Sequence, residues 1–277
     1  VLTQVSGAFL RAVAVMVLII APSVLIPGTP EDTRQMASLI AFFAGALTFA
    51  EYSATYPGVI EFRDARPYNR TRFAMLAMMV FSITISARSG VEPSTFSSLL
   101  EALAYSSGVA LDFPYSPVRL LTLMLGEGLT ERQITVVRSA AGVAYMTVLL
   151  SLLAFVVMLR LKKWPANLGA FNVWVNLPTF DPTAGGDVVA RLERDARSNL
   201  MLGFVLPFVI PAIMKVGGLS SGAIDVTSPQ TLTWTVTAWA FLPASLFMRG
   251  IAMGRIATMI REKRREGSSD PSGYASA

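Results

Sequence analysis

Long apolar runs alternate with short polar segments along most of the chain. A helix that crosses a bilayer needs about 20 mostly apolar residues. Runs of that kind fall at 5–26, 35–52, 73–87, 131–160, 200–216 and 231–253. The third is short and needs tilt or flanking residues to span. Thr130-Glu131-Arg132-Gln133 is a capping-box pattern that starts the fourth. Pro207 and Pro211 lie inside the fifth, so a kink is expected there. In the first run the single charge is Arg11, near enough to the end to reach polar surroundings.

The stretch between the third and fourth runs has a different pattern. Ser98-x-x-Glu101 reads as a capping box, and Phe96, Leu99, Leu100 and Leu103 share one helical face. Ser116-Pro117 reads as an N-cap followed by Pro at the first helical position, and Gly126 stops the run after it. Two short in-plane helices are expected within 95–126, on the membrane surface or over the bundle. Glu101 and Asp112 make full insertion costly; a re-entrant hairpin is the alternative.

Charge orients the runs. The segments after runs two, four and six carry 16 Lys and Arg, against 6 on the opposite side. Under the positive-inside bias those three segments face the cytoplasm, so six spans place both termini inside. The expected fold is an all-α integral membrane protein with about six transmembrane helices plus short in-plane helices. Residues 1–266 form one polytopic domain, and 267–277 form a disordered polar tail.

Composition agrees and removes much chemistry. Of 277 residues, 53% are hydrophobic and 15% charged, and mean hydropathy is +0.55. Soluble domains carry about 25% charged residues. The net charge of +5 would suggest nucleic acid on a soluble chain. Here the basic residues flank apolar runs, so no nucleic-acid partner is expected. There is no Cys and no His. That excludes disulfides, thiolate and imidazole metal sites, and any triad with an imidazole base. No Walker A loop or dinucleotide fingerprint is present, and no cofactor is expected. Arg far outnumbers Lys, and Ala is abundant, which hints at a GC-rich bacterial genome. No cleavable signal peptide is expected, because the first apolar run is long and lacks a basic leader.

Three features invite a functional reading. The polar loop after run two is dense in charge and aromatics: Glu61, Arg63, Asp64, Arg66, Tyr68, Arg70 and Arg72. Arg forks bind phosphate and carboxylate, and Tyr adds rigid contact area. These seven are candidate contacts for a partner subunit or an anionic lipid headgroup. The bland reading is an orienting loop with internal Arg–acid pairs. The second feature is 161–199, where Trp164, Phe171, Trp174 and Phe180 alternate with prolines and Asp187 can cap a short helix through Ser198. Within that helix Arg191 with Asp195 and Glu193 with Arg197 make i,i+4 pairs. The third is Gly250-x-x-x-Gly254, a candidate helix-packing seam, between copies or within one chain.

The expectation is a non-catalytic bacterial inner-membrane protein: an accessory, assembly or scaffold subunit of a larger membrane complex. Its expected partners are the bilayer, anionic lipid included, and other membrane subunits. The alternative is a transporter or channel for a small neutral solute or lipid. An enzyme is not expected.

Overall fold

The computed structural model describes residues 2–65, 67–125, 129–162, 164, 176–181, 183, 185–216 and 228–269. These residues form eight helices and no strand. In chain order they are α1 (Leu2–Leu25), α2 (Glu31–Ser53), α3 (Tyr68–Ser89), α4 (Thr95–Ala110), α5 (Pro117–Leu123), α6 (Glu131–Leu161), α7 (Val188–Val216) and α8 (Pro229–Ser269). Six of them (α1, α2, α3, α6, α7 and α8) are long and apolar enough to cross a membrane, at the six places the sequence indicates. This is the architecture of a multi-pass membrane protein.

Several boundaries differ from the sequence expectation. α3 begins at Tyr68 rather than at residue 73, so Asn69, Arg70 and Arg72 wind into its first turns. Charges at a helix end can reach out of the apolar zone, so they need not end the helix. The expected short helix from Asp187 and the run from Leu200 are one continuous helix, α7. Asp187 caps it as expected, its carboxylate accepting from the Ala190 N–H at 3.2 Å. α8 continues to Ser269, past the expected start of the tail at 267; residues 270–277 lie outside the described residues. α4 starts one turn before the expected cap. Ser94 and Ser97 form the capping box, instead of Ser98 and Glu101. The two serines satisfy each other's backbone N–H groups, Ser97 N–H to Ser94 Oγ at 3.1 Å and Ser94 N–H to Ser97 Oγ at 2.8 Å. The Thr130–Gln133 box and the Ser116 cap form where the sequence puts them, and Gly126 lies outside the described residues.

Where two helices approach most closely, small residues face inward. α4 buries Ser97, Ala104 and Gly108, while Phe96, Leu99 and Leu103 of its apolar stripe stay exposed. α6 meets it with Ala140, Ala141, Gly142 and Ala144, all buried. The backbones nearly touch. A Cβ on Gly142 would lie 2.3 Å from the Gly108 Cα, and one on Gly108 would lie 2.9 Å from the Arg138 carbonyl oxygen. Only Gly permits that approach. At the C-terminal end of α4, Asp112 joins Arg119 at 3.1 Å and Arg138 at 3.3 Å, closing α4, α5 and α6 into one unit.

α7 and α8 form the other tight pair. A Cβ on Gly250 would lie 2.8 Å from the Ala196 carbonyl oxygen and 2.9 Å from the Leu200 N. One on Gly254 would meet nothing nearer than the Ala196 Cβ, at 3.8 Å. Half of the GxxxG seam is thus spent inside the chain. Both prolines lie within the unbroken α7. Pro211 has no N–H, so the Pro207 carbonyl loses its helical partner. The Trp239 indole N–H of α8 donates to it at 3.2 Å, in a buried setting. Beyond the apolar zone, Arg261 pairs with Glu193, and Arg264 with Asp187 at 2.7 Å. Glu193 thus turns to α8 rather than to the Arg197 of its own helix.

α3 and α6 pack against α8 in the centre, and the α1–α2 hairpin leans on α3. α2 turns Ala37, Ala41 and Gly45 inward and leaves Phe42 and Phe43 exposed.

The glycine contacts make a graded prediction. Gly to Ala inside a helix normally stabilises by up to about 1 kcal/mol. Gly142→Ala and Gly250→Ala are instead expected to destabilise by about 1–3 kcal/mol, through overpacking against backbone. Gly254→Ala is expected to be neutral or mildly stabilising. Unfolding in detergent micelles checks the order; equal effects at all three positions would contradict the packing described.

Candidate functional site

The loop between α2 and α3 is the densest polar region, and it is folded back on the protein. Its two halves are stitched to the end of α2. The Glu51 carboxylate accepts from the N–H groups of Gly58, Val59 and Ile60 at 3.0, 2.8 and 2.9 Å. Arg63 points the other way and donates to the carbonyls of Glu51, Ala54 and Thr55. A helix C-terminus leaves carbonyls without partners, and a cation there satisfies them and opposes the helix dipole.

A second segment, 176–180, clamps the loop from the far side. The Asn176 carbonyl accepts from the Phe62 N–H at 2.7 Å, and the Asn176 side-chain oxygen accepts from the N–H groups of Asp64 and Ala65. This holds Phe62 at a positive φ of 53°. The ring is buried against Tyr68, 4.3 Å between centroids, and Tyr68 in turn lies on Phe155 of α6. Asn69 donates to the Glu61 carbonyl at 2.7 Å.

The clamp closes on α8. Arg249 grips Glu61 with two hydrogen bonds, from Nε at 2.6 Å and from Nη2 at 2.9 Å. The Thr179 hydroxyl donates to Glu61 at 2.6 Å and accepts from Arg249 at 3.4 Å. The two charged side chains are 12% and 24% exposed, so the pair is largely shielded from solvent. Three segments distant in sequence meet at one ion pair.

The expected contact residues therefore divide. Glu61, Arg63 and Tyr68 are turned into the protein. Arg72 is half-buried, its guanidinium over the rings of Tyr68 and Phe241 and its Nε donating to Ser245 at 3.4 Å. Asp64 and Arg70 are exposed, and Arg66 lies outside the described residues. The residues that hold the site and that sequence reasoning missed are Arg249, Thr179 and Asn176. Arg249 had counted only as one more orienting cation, and nothing local marks its partner.

The tip of the loop faces outward. Tyr56 and Val59 are 71% and 66% exposed, outside any candidate span, while Pro57 between them is buried. Phe171 and Trp174 of the segment 161–199 lie outside the described residues; Phe180 is buried beneath the Arg191 guanidinium. At the start of α7, the Arg264 guanidinium and the N–H groups of Ala190 and Val189 hold the Asp187 carboxyl below the usual carboxylate range. Its contribution to stability is present at neutral pH and is lost as pH falls through that lowered value.

Beside the loop, α3 and α6 diverge into a groove of about 780 Å³. Arg70, Lys162 and Trp164 lie at one end, and Ala74, Met78, Leu150, Ala154 and Met158 run along it. A smaller recess of about 360 Å³ on the other side of Arg70 lies among α1, α2 and α3. Among the described residues no three acidic side chains gather as metal ligands. Both oxygens of Glu61 and both of Asp112 are engaged by Arg or Thr.

No protein-family model, no curated protein and no solved structure matches this chain.

The clamp carries a stability prediction. Arg249→Ala leaves the Glu61 carboxylate shielded without its cation and is expected to cost about 3 kcal/mol. The double variant Glu61→Gln/Arg249→Met removes both charges and is expected to recover much of that loss. Melting temperatures in detergent report both; a silent Arg249→Ala would show that the pair holds nothing.

Proposed function

We propose that this chain is a non-catalytic scaffold or assembly subunit of a larger complex in a bacterial inner membrane, with both termini in the cytoplasm. The observation that carries the reading is the rigid display of Tyr56 and Val59. The flanking loop is pinned by Glu51, Arg63, Asn176 and Arg249, so its tip is held in one conformation at little further entropic cost on binding. Rigid aromatic and aliphatic groups on a pre-ordered loop favour recognition of a protein partner. The polar groups of the loop support the same reading, because they are spent on holding its shape.

Co-purification tests the subunit reading. In a mild detergent the wild-type protein is expected to travel with stoichiometric membrane partners. Tyr56→Ala/Val59→Asp is expected to release them without lowering the melting temperature. A lone wild-type monomer would overturn the reading, and bound solute or lipid alone would favour transport.

The orientation has its own test. The chain has no Cys, so single introduced cysteines report topology against a clean background. A cysteine at Glu92 is expected to react with an impermeant maleimide in intact spheroplasts, and one at Lys263 only after lysis. The reverse pattern would invert the topology.

A further inference from the structure

The groove between α3 and α6 combines an apolar slot with a cationic head. Arg70 belongs to the first turn of α3, and Lys162 caps the end of α6. Both side chains are exposed and both line the groove. Below them the walls are mostly apolar, with Ala74, Met78, Leu150, Ala154 and Met158, and Thr147 and Ser151 set among them. From Arg70 to Met78 is about 12 Å of helix, at about 1.5 Å per residue. One leaflet of hydrocarbon is about 15 Å deep. The slot thus has the depth of an acyl chain, and its cations sit where a headgroup would.

Trp164 adds an independent observation. It lines the cationic end of the groove and is 2% exposed. Its ring packs on Phe62 at 6.1 Å, and its carbonyl accepts from Arg255 at 3.2 Å. Yet its indole N–H is buried and meets no acceptor among the described residues. Buried donors are nearly always satisfied, so an orphan beside a cationic slot points to an acceptor supplied from outside.

We propose that this groove is a binding site for one anionic phospholipid of the leaflet that surrounds the α3 N-terminus. Arg70 and Lys162 pair with the headgroup phosphate. The Trp164 N–H donates to a phosphate or ester oxygen. One acyl chain lies between α3 and α6 over Ala74, Met78 and Ala154. Two cations at one headgroup select net negative lipid over zwitterionic lipid, at about fivefold for each Lys or Arg near the surface. The site is independent of the scaffold reading and would stand whether or not a protein partner is found.

Native mass spectrometry of the purified, delipidated protein tests it. The protein is titrated with phosphatidylglycerol or phosphatidylcholine, and the binding constant of the first lipid is read. Phosphatidylglycerol is expected to bind about 25-fold more tightly. Arg70→Ala/Lys162→Ala is expected to erase that preference, and Arg70→Lys/Lys162→Arg to keep it. Ala154 is exposed in the slot, so Ala154→Phe fills the slot without touching either cation or the core. It is expected to weaken the first lipid at least fivefold. Equal affinity of the wild type for the two lipids would overturn the proposal. So would a preference that survives loss of both cations. Full phosphatidylglycerol affinity in Ala154→Phe would reduce the site to surface charge and overturn the groove assignment. Melting temperatures of all variants are read alongside; if the double Ala variant unfolds, the Ala154→Phe and charge-conserving variants decide.

Discussion

Everything in this bundle depends on how closely its helices can approach. In water, large apolar side chains fill the core because burial removes them from solvent. A multi-pass membrane protein lacks that incentive, since hydrocarbon surroundings accept Leu and Phe as readily as a protein interior does. Phe42, Phe43, Phe96, Leu99 and Leu150 accordingly stay on the outside. The closest crossings fall to Ala, Ser and Gly, and the α4–α6 crossing at Gly108 and Gly142 brings backbone against backbone. The same logic governs Gly250 of α8, which packs against Ala196 and Leu200 of α7. Dispersion then acts over many close atom pairs, and no cavity-filling large residue is needed there.

Close packing leaves polar groups to be satisfied one by one. Pro211 frees a carbonyl in α7, and Trp239 of the neighbouring helix supplies the donor. Arg63 covers the exposed carbonyls at the end of α2. Asp112 joins two arginines at the end of α4, and Glu61 joins Arg249 beneath the loop. A satisfied polar network specifies a single arrangement more than it adds net stability, because desolvation offsets much of each ion pair. In the proposed scaffold role, that arrangement fixes the presentation of the loop tip. The Trp164 N–H and the Ser151 hydroxyl are among the buried polar atoms without a partner among the described residues, and both line the groove proposed for a lipid.

How much was legible follows from which signals are local. Six apolar runs were visible because spanning requires a minimum length of one composition. The Thr130–Gln133 box, the Ser116 cap and the Asp187 cap were visible because a cap acts within one turn. The Ser94 cap was missed because Ser94 and Ser98 look equally competent, and the reciprocal bonds of Ser94 with Ser97 involve a serine rather than the usual Glu or Gln. The first turns of α3 were missed because Arg70 and Arg72 read as loop. The helix end lets those charges escape the apolar zone, and Tyr68 anchors the turn by burial.

The candidate site was half legible. The loop was recognisable by its density of Arg, acid and aromatic residues, and Arg70 does line the groove. The inward turn of Glu61, Arg63 and Tyr68 was not legible. Arg249 lies 188 residues from Glu61, and Asn176 lies 111 from Ala65. The sequence by itself determined the class of architecture, the number of candidate spans and the chemistry that His and Cys would have allowed. Those properties depend on composition and local periodicity alone. Only the tertiary structure decided which side chains face one another across helices, which arginines are spent internally, and where a slot opens between α3 and α6. Each of those depends on the rotation and crossing of whole helices, which no local pattern encodes.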